Sequence, residues 1–424
     1  MKRINNVLVY PCETSLGREL HDSICHSPDF RLFGSPGDPV RGGYVYRLAI
    51  GPLPPLHADE FLPSLTQTVR EYHIDFIYPA SDQALLELSE LASDGLVEAE
   101  VMAPGPDVCR KCLSRAAMHA FFSGKIDLPR QYRPGQIAAG DFPLWLDSGG
   151  MHRGGRRVDG TEDLAHAAED TLLLEYLPGG EYAVDCFTDG SRGLLFVSGR
   201  ERRAVGRHDS FNSILCDSPV FRRFADAINV EMAMRGAWSF LLKEDAMGRL
   251  RLVNIRPRPS ASSGLQRARG MNLALEALHD RLGREVRPVL NELPGASADR
   301  QLTGLYRLHL HYDTVYMNLE NTVTANGRVN LDTIRFIYQC RNRGVRVVLV
   351  ERGPEPPERM LAQYRLDGLF DQVLWLEGTE GKSTVMTGQR AICIDAVEAE
   401  RREVAKNLGL PVFAPSAIDA LMEP

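Results

Sequence analysis

The chain has 424 residues, too many for one compact domain and about right for three at roughly 150 residues each. It is 44% hydrophobic, 25% charged and 8% aromatic, a globular composition that excludes disordered and fibrous classes. Lys and Arg number 49 against 56 Asp and Glu, a net charge of −7, so no general electrostatic pull toward nucleic acid or an anionic membrane is expected.

At the start, the apolar run Val7–Tyr10 stops at Pro11, too short for the hydrophobic stretch of a signal peptide. No segment approaches the ~18 apolar residues of a membrane span, and a cytoplasmic location is expected. The cysteines at 12, 25, 109, 112, 186, 216, 340 and 393 are scattered, which fits reduced thiols rather than a disulfide framework. Cys109 and Cys112 form a CxxC without a second ligand pair at matching spacing, so they read as neighbours on a helix and no metal site is assigned.

Residues 1–105 alternate strands and helices. Asn6–Tyr10, Arg31–Gly34, Ile74–Pro79 and Glu98–Met102 read as strands; Arg18–Cys25, Phe61–Tyr72 and Ala84–Leu91 have helical spacing. Such alternation predicts a parallel sheet with crossover helices. Residues 106–298 read as an α+β block. A helix over Val108–Phe122 leads to strands at Leu172–Leu177, Glu181–Thr188 and Leu194–Ser198. A long helix over Ser218–Arg235 precedes a hairpin of Ala237–Lys243 and Leu250–Ile255. Pro294–Arg300 reads as a linker. Residues 302–424 return to α/β alternation: strands at Leu308–Leu319, Val345–Val350, Val373–Leu376 and Ala391–Ile394, helices at Asp332–Arg343, Pro357–Tyr364 and Ala396–Leu408. The sequence shows no internal repeat and no low-complexity tract.

In the middle block, Glu175-Tyr176-x-x-Gly179-x-Glu181-Tyr182-x-x-Asp185 resembles a motif of ATP-grasp enzymes. Residues 236–264 resemble their metal-site hairpin, and 78–92 resemble the preceding α/β domain of the carbamoyl-phosphate-synthase-like branch. The resemblance implies a pre-ATP-grasp domain over 1–105 and an ATP-grasp fold over 106–298. It also implies ATP-dependent ligation, in which a carboxylate is phosphorylated and captured by an amine or thiol, and which needs cations on the phosphates and acidic ligands for Mg²⁺. Glu175 and Tyr176 match the adenine-facing hinge and Glu181 the ribose-binding glutamate. Arg115 stands at one lysine position, while Asp147 and Ser148 replace the Lys-Pro pair. Asn254 and Arg256 stand at two metal-ligand positions, and the hairpin's other metal position falls within the apolar Phe240–Leu242. These departures argue against ordinary MgATP chemistry, with ATP itself retained as a candidate ligand. What remains is basic: Arg200, Arg202, Arg203, Arg207, His208, Arg256 and Arg258 read either as a solvated charged face or as a site for a carboxylate or phosphate.

In the last segment, residues 315–330 (VYMNLENTVTANGRVN) and 390–422 (RAICIDAVEAERREVAKNLGLPVFAPSAIDALM) are similar to the opening Asp-x-Asp-x-Thr and the closing strand, helix and strand of haloacid-dehalogenase (HAD)-type phosphatases, which implies a HAD-like Rossmannoid parallel sheet. In that family the first aspartate attacks phosphorus and carboxylates hold Mg²⁺. Here Asn318 and Glu320 replace the aspartates, Thr322 is kept, Glu351 stands at the second motif, Lys382 at the third, and Asp395-Ala396 replace the paired aspartates. The resemblance with these substitutions implies an inactive fold. Gly378–Ser383 lacks the first glycine of a phosphate loop. His309, His311 and Asp313 would share one face of a strand, as a metal site or a half-exposed edge.

Taken together, the sequence suggests an ATP-grasp/HAD-like fusion of the kind associated with bacterial stress and tellurium-resistance-type gene clusters. The expected role is a non-catalytic unit binding a nucleotide, a small anionic metabolite, or an active paralogue or operon partner protein. The alternative is an active carboxylate–amine or carboxylate–thiol ligase recruiting metal through Asp185, Glu244 or Asp245.

Overall fold

The computed structural model describes residues 3–38, 45–133, 137–147, 155–164, 171–204, 211–293, 295–299, 306 and 308–423, without the side chains of Ala139, Ala204 and Phe211. The chain divides into two compact units, Met1–Leu302 and Thr303–Pro424.

The first unit opens with a parallel sheet of β1 (Asn5–Tyr10), β2 (Phe30–Gly34), β3 (Leu48–Ala49), β4 (Phe76–Pro79) and β5 (Glu100–Val101), in the order β3-β2-β1-β4-β5. The central strand β1 is apolar on both faces because both are covered. Val7 and Val9 pack with Leu16, Leu20 and Ile24 of α1 (Ser15–Ile24). Leu8 and Tyr10 pack with α2 (Phe61–Glu71) and α3 (Asp82–Ser93). Thr14 and Ser81 cap α1 and α3 by accepting from the backbone N–H three residues on, the N-cap arrangement these side chains favour. The core holding Val7 and Val9 continues through Phe187 and Ala237 of the next sheet, so packing does not break at residue 105.

The helix expected over Val108–Phe122 is two helices, α4 (Pro106–Leu113) and α5 (Arg115–Phe122). Ser114 between them is extended and its hydroxyl accepts from Ala117 N–H at 3.2 Å, a capping signal that outweighs the apolar periodicity. Cys109 and Cys112 are buried on α4; burial raises both thiols, Cys109 to about 11.

A small antiparallel sheet follows: β6 (Gln131–Tyr132), β7 (Leu144–Asp147), β8 (Gly155–Val158) and β9 (Leu172–Glu175), ordered β6-β9-β7-β8. The larger antiparallel sheet comprises β10 (Glu181–Asp189), β11 (Gly193–Ala204), β12 (Phe211–Cys216), β13 (Gly236–Glu244), β14 (Leu250–Arg256) and β15 (Ser297–Ala298), in the order β14-β13-β10-β11-β12-β15. Its apolar face (Val184, Cys186, Trp238, Phe240) packs on α6 (Pro219–Glu231) through Phe221, Phe224 and Ile228. That helix ends four residues before the expected Arg235, where Met232 turns extended and buried. Two short helices, α7 (Gly264–Arg269) and α8 (Leu273–Arg281), were not legible as separate elements. The expected linker contains β15, which pairs with β12; its ends, Pro294 and Arg300, lie outside the described residues.

The second unit is a parallel sheet of β16 (Thr314–Met317), β19 (Arg346–Arg352), β20 (Gln372–Leu376), β21 (Ala391–Ile394) and β22 (Val412–Phe413), ordered β20-β19-β16-β21-β22, with a hairpin of β17 (Thr324–Ala325) and β18 (Arg328–Val329). Helices α9 (Leu331–Asn342), α10 (Glu358–Gln363) and α11 (Glu398–Leu408) connect the strands. The strand expected over Leu308–Leu319 is confined to Thr314–Met317, and His309 has φ 51°. A residue in the left-handed region breaks period-two alternation, so His309, His311 and Asp313 do not share a strand face. Among the described residues no three His, Cys, Asp or Glu side chains converge as a metal site, and no helix is long and apolar enough to cross a membrane.

Candidate functional site

The face of the large sheet opposite α6 carries the polar residues. Strand alternation puts Ala183 and Asp185 of β10 on that face, beside Arg200 and Ser198 of β11 and Leu241 and Ser239 of β13. Across β13 the register slips between Leu241 and Leu242, leaving Val253 unpaired and setting Asn254 opposite Leu241 and Arg256 opposite Ser239. This β-bulge re-aims the strand: Leu252 and Ile255, three apart, both face the core, and Asn254 and Arg256 face the cleft.

The cleft has a volume of about 270 Å³, and its lining includes Arg202, Arg256, Arg258, Asn254, Ser239 and Ser213. None of its described lining residues is a carboxylate. Arg202 pairs with Glu181. Arg258 donates to Asp82, the first residue of α3, at 2.6 Å, which joins the cleft to the parallel sheet. Arg256 has no hydrogen-bond or ion-pair partner among the described residues and reaches solvent. Desolvation in the cleft lowers its pKa, as do the charges of Arg258 and Arg202, against the opposing pull of Asp82 and Glu181.

Beneath lies a buried layer. Arg200 is fully buried and donates to Asp185 at 2.9 Å, Ser262 at 2.9 Å and Ser260 at 3.3 Å. Gln266 donates to the same Asp185 oxygen at 3.4 Å, while Asp185 Oδ1 and Gln266 Oε1 have no partner. Arg200 is therefore a floor residue that holds the serines, not a free cation. Arg203 lies on the other side of β11, exposed and paired with Glu201. Arg207 and His208 lie outside the described residues. Arg202, between the buried Arg200 and the outward-facing Arg203, is the β11 guanidinium that reaches the cleft.

At the hinge, Glu175 is tied to the Arg130 backbone, accepting its N–H at 3.1 Å. Tyr176 lies under the Arg157 guanidinium at 4.9 Å, with Lys243 Nζ 5.9 Å from its ring. Arg115, at the start of α5, forms an ion pair with Asp147, at the end of β7. The two positions where the ATP-grasp pattern carries phosphate-binding cations thus neutralise one another. Ser148 lies outside the described residues.

The pattern implies magnesium, yet the acidic side chains at the hairpin are already engaged. Glu244 accepts from Gly180 N–H and the Tyr182 hydroxyl. Asp245 accepts from the N–H groups of Met247 and Arg249 and from the Arg249 and Arg251 guanidiniums, inside its own turn. Asp185 keeps one open oxygen, sealed below the floor. Magnesium demands near-octahedral oxygen ligation; among the described residues, one enclosed Asp185 oxygen, with Glu181 and Asp82 already engaged by guanidiniums, does not fit it.

In the second unit the HAD-motif positions gather at the carboxyl ends of β16, β19 and β21. Lys382 and Asp395, both buried, pair at 2.6 Å. Asn318 donates to Glu320 O at 2.6 Å and accepts from the Thr322 hydroxyl at 2.5 Å and Ala396 N–H at 3.3 Å. Glu351 accepts from Leu319 N–H at 2.5 Å; burial raises its pKa, against that bond and the Lys382 charge. The Glu320 side chain is exposed and outside this network.

Residues 167–299 match the family model "ATP-grasp in the biosynthetic pathway with Ter operon". No curated protein sequence matches the chain. Among solved structures, N5-carboxyaminoimidazole synthetase from Staphylococcus aureus is 13% identical over 68% of this chain and 81% of its own, at a TM-score of 0.51. L-amino acid ligase from Bacillus licheniformis is 13% identical over 68% and 76%, at 0.52. The biotin carboxylase domain of Hydrogenobacter thermophilus 2-oxoglutarate carboxylase, in complex with MgADP, is 14% identical over 68% and 71%, at 0.53. The chain is a mixed α/β multidomain protein with the ATP-grasp fold.

Proposed function

We propose that residues 1–302 form an ATP-grasp ligase-type unit that binds a nucleotide along the hinge of Glu175, Tyr176 and Glu181 and an anionic group in the arginine cleft. The observation that carries this reading is the cleft itself: guanidinium and hydroxyl donors converge next to Glu181, with no carboxylate among the described lining residues to oppose an anion. Guanidinium forks bind carboxylate and phosphate bidentately, and fixed cations stabilise charge that develops during phosphoryl transfer. The substrate class is a small carboxylate, activated as an acyl phosphate and captured by an amine or thiol. Ligases of the same fold support it.

A second reading, a nucleotide- or anion-binding unit without turnover, is favoured by the Arg115–Asp147 pair, which removes a phosphate-facing cation. For residues 303–424 we propose a HAD-like unit without phosphatase activity, supported by the parallel strand order and by the neutral amide of Asn318 at the nucleophile position.

The test is ADP release from ATP with a panel of carboxylic acids and hydroxylamine as the trap for acyl phosphate. Carboxylate-dependent hydroxamate formation that falls at least tenfold in Glu181→Ala supports the ligase. Nucleotide binding without turnover across the panel supports the second reading.

A further inference from the structure

We infer that Arg256 takes the place of a divalent cation in this cleft, so that the phosphate oxyanions of the ligand are bound directly by guanidinium and without magnesium. The inference rests on the nucleotide reading above and adds how the charge of the phosphates is met. Position is the first support. Arg256 sits on β14 opposite Ser239, on the cleft face set by the bulge at Val253, where the ATP-grasp pattern carries a metal ligand. A fixed positive charge there repels a cation and attracts what the cation would have held.

The surroundings supply the second support. Arg202 and Arg258 are each matched by a carboxylate, Glu181 and Asp82, whereas Arg256 is matched by none among the described residues. A partly desolvated charge crowded by two like charges is unfavourable until an anion joins it. Third, the neutral groups around it suit oxyanion lone pairs: hydroxyls of Ser239, Ser260 and Ser262 and the amide of Asn254 all line the cleft. The two serines are positioned by the buried Arg200, so the donors are held in place before a ligand arrives. Of the carboxylate oxygens nearby, Asp185 Oδ1 is unpartnered but enclosed beneath that layer, and Glu181 and Asp82 are engaged by Arg202 and Arg258, which among the described residues leaves a metal without its ligand set.

Titration calorimetry on the full chain tests this with two probes, ADP and inorganic pyrophosphate, each in EDTA and in excess Mg²⁺. We expect ADP to bind in EDTA with an affinity that Mg²⁺ changes by less than about threefold, and Arg256→Gln to weaken it at least tenfold, about 1.4 kcal/mol. Arg256→Lys, which keeps the charge but not the fork, should retain part of the affinity, and unchanged unfolding midpoints for both variants would exclude a folding defect. Pyrophosphate binding in EDTA without ADP binding would support the oxyanion site while removing the nucleotide reading. Affinity that rises tenfold or more with Mg²⁺, an Arg256→Gln variant that binds like the wild type, or binding of neither probe would overturn the inference.

Discussion

Replacing Arg200 with methionine should be among the most destabilising single changes in the first unit, and the size follows from its contacts. The side chain is fully buried between the sheet and the Ser260–Ser262 turn. Its loss leaves Asp185 with one weak donor, Gln266 at 3.4 Å, and one oxygen that already has no partner. Removing one member of a buried ion pair costs about 3–5 kcal/mol, chiefly because the other charge is stranded. Unfolding entropy is about 2.1 cal/mol/K per residue. Over the 302 residues of the unit that gives about 0.6 kcal/mol/K, so the midpoint should fall by about 5–8 °C. Differential scanning calorimetry of the full chain should show that shift in one transition, with the other unmoved. The double variant Arg200→Met, Asp185→Leu should recover most of it, because apolar groups of similar size replace buried pairs at little net cost. A single variant within 1 kcal/mol of wild type, or a double variant as unstable as the single, would refute the stranded-charge argument.

Asp147→Asn should release the Arg115 guanidinium toward a bound phosphate and tighten ADP binding by about three- to tenfold; unchanged or weaker binding in calorimetry would show that Arg115 does not face the nucleotide. In the second unit, burial raises the Glu351 carboxyl, so its favourable contribution is complete below the unfolded value of about 4.3 and is lost as pH rises through the folded one. Glu351→Gln should therefore stabilise this unit near neutral pH, with the gain vanishing below about pH 4; a pH-independent difference in urea midpoints would contradict this. The same unit should hydrolyse no phosphomonoester, and Asn318→Asp alone should not restore activity, since Glu320 is outside the network and Ala396 offers no carboxylate. Wild-type phosphatase activity abolished by Asn318→Ala would overturn that assignment.

What was legible in the sequence was what nearest neighbours along the chain decide. The apolar runs of β1 and β4 and the helical spacing of α1 and α3 follow from periodicity and local pattern, and their elements lie where the sequence placed them. Misjudged local structure came from competing short-range signals, as where the Ser114 hydroxyl restarts a helix or a left-handed His309 ends a strand. The site depended on register, which no local pattern carries. That Arg200 is a buried strut while Arg202 opens on the cleft depends on Asp185 being across the ladder from Ser198, next to Arg200's own partner position. Asn254 and Arg256 share the cleft face because one unpaired residue, Val253, shifts β14 against β13. The pairs Arg115–Asp147 and Asp82–Arg258 span 32 and 176 residues of chain. Sequence determined which charges exist; only tertiary pairing decided which of them are spent on each other, because neutralisation depends on distances of a few ångströms between strands that the chain brings together from far apart.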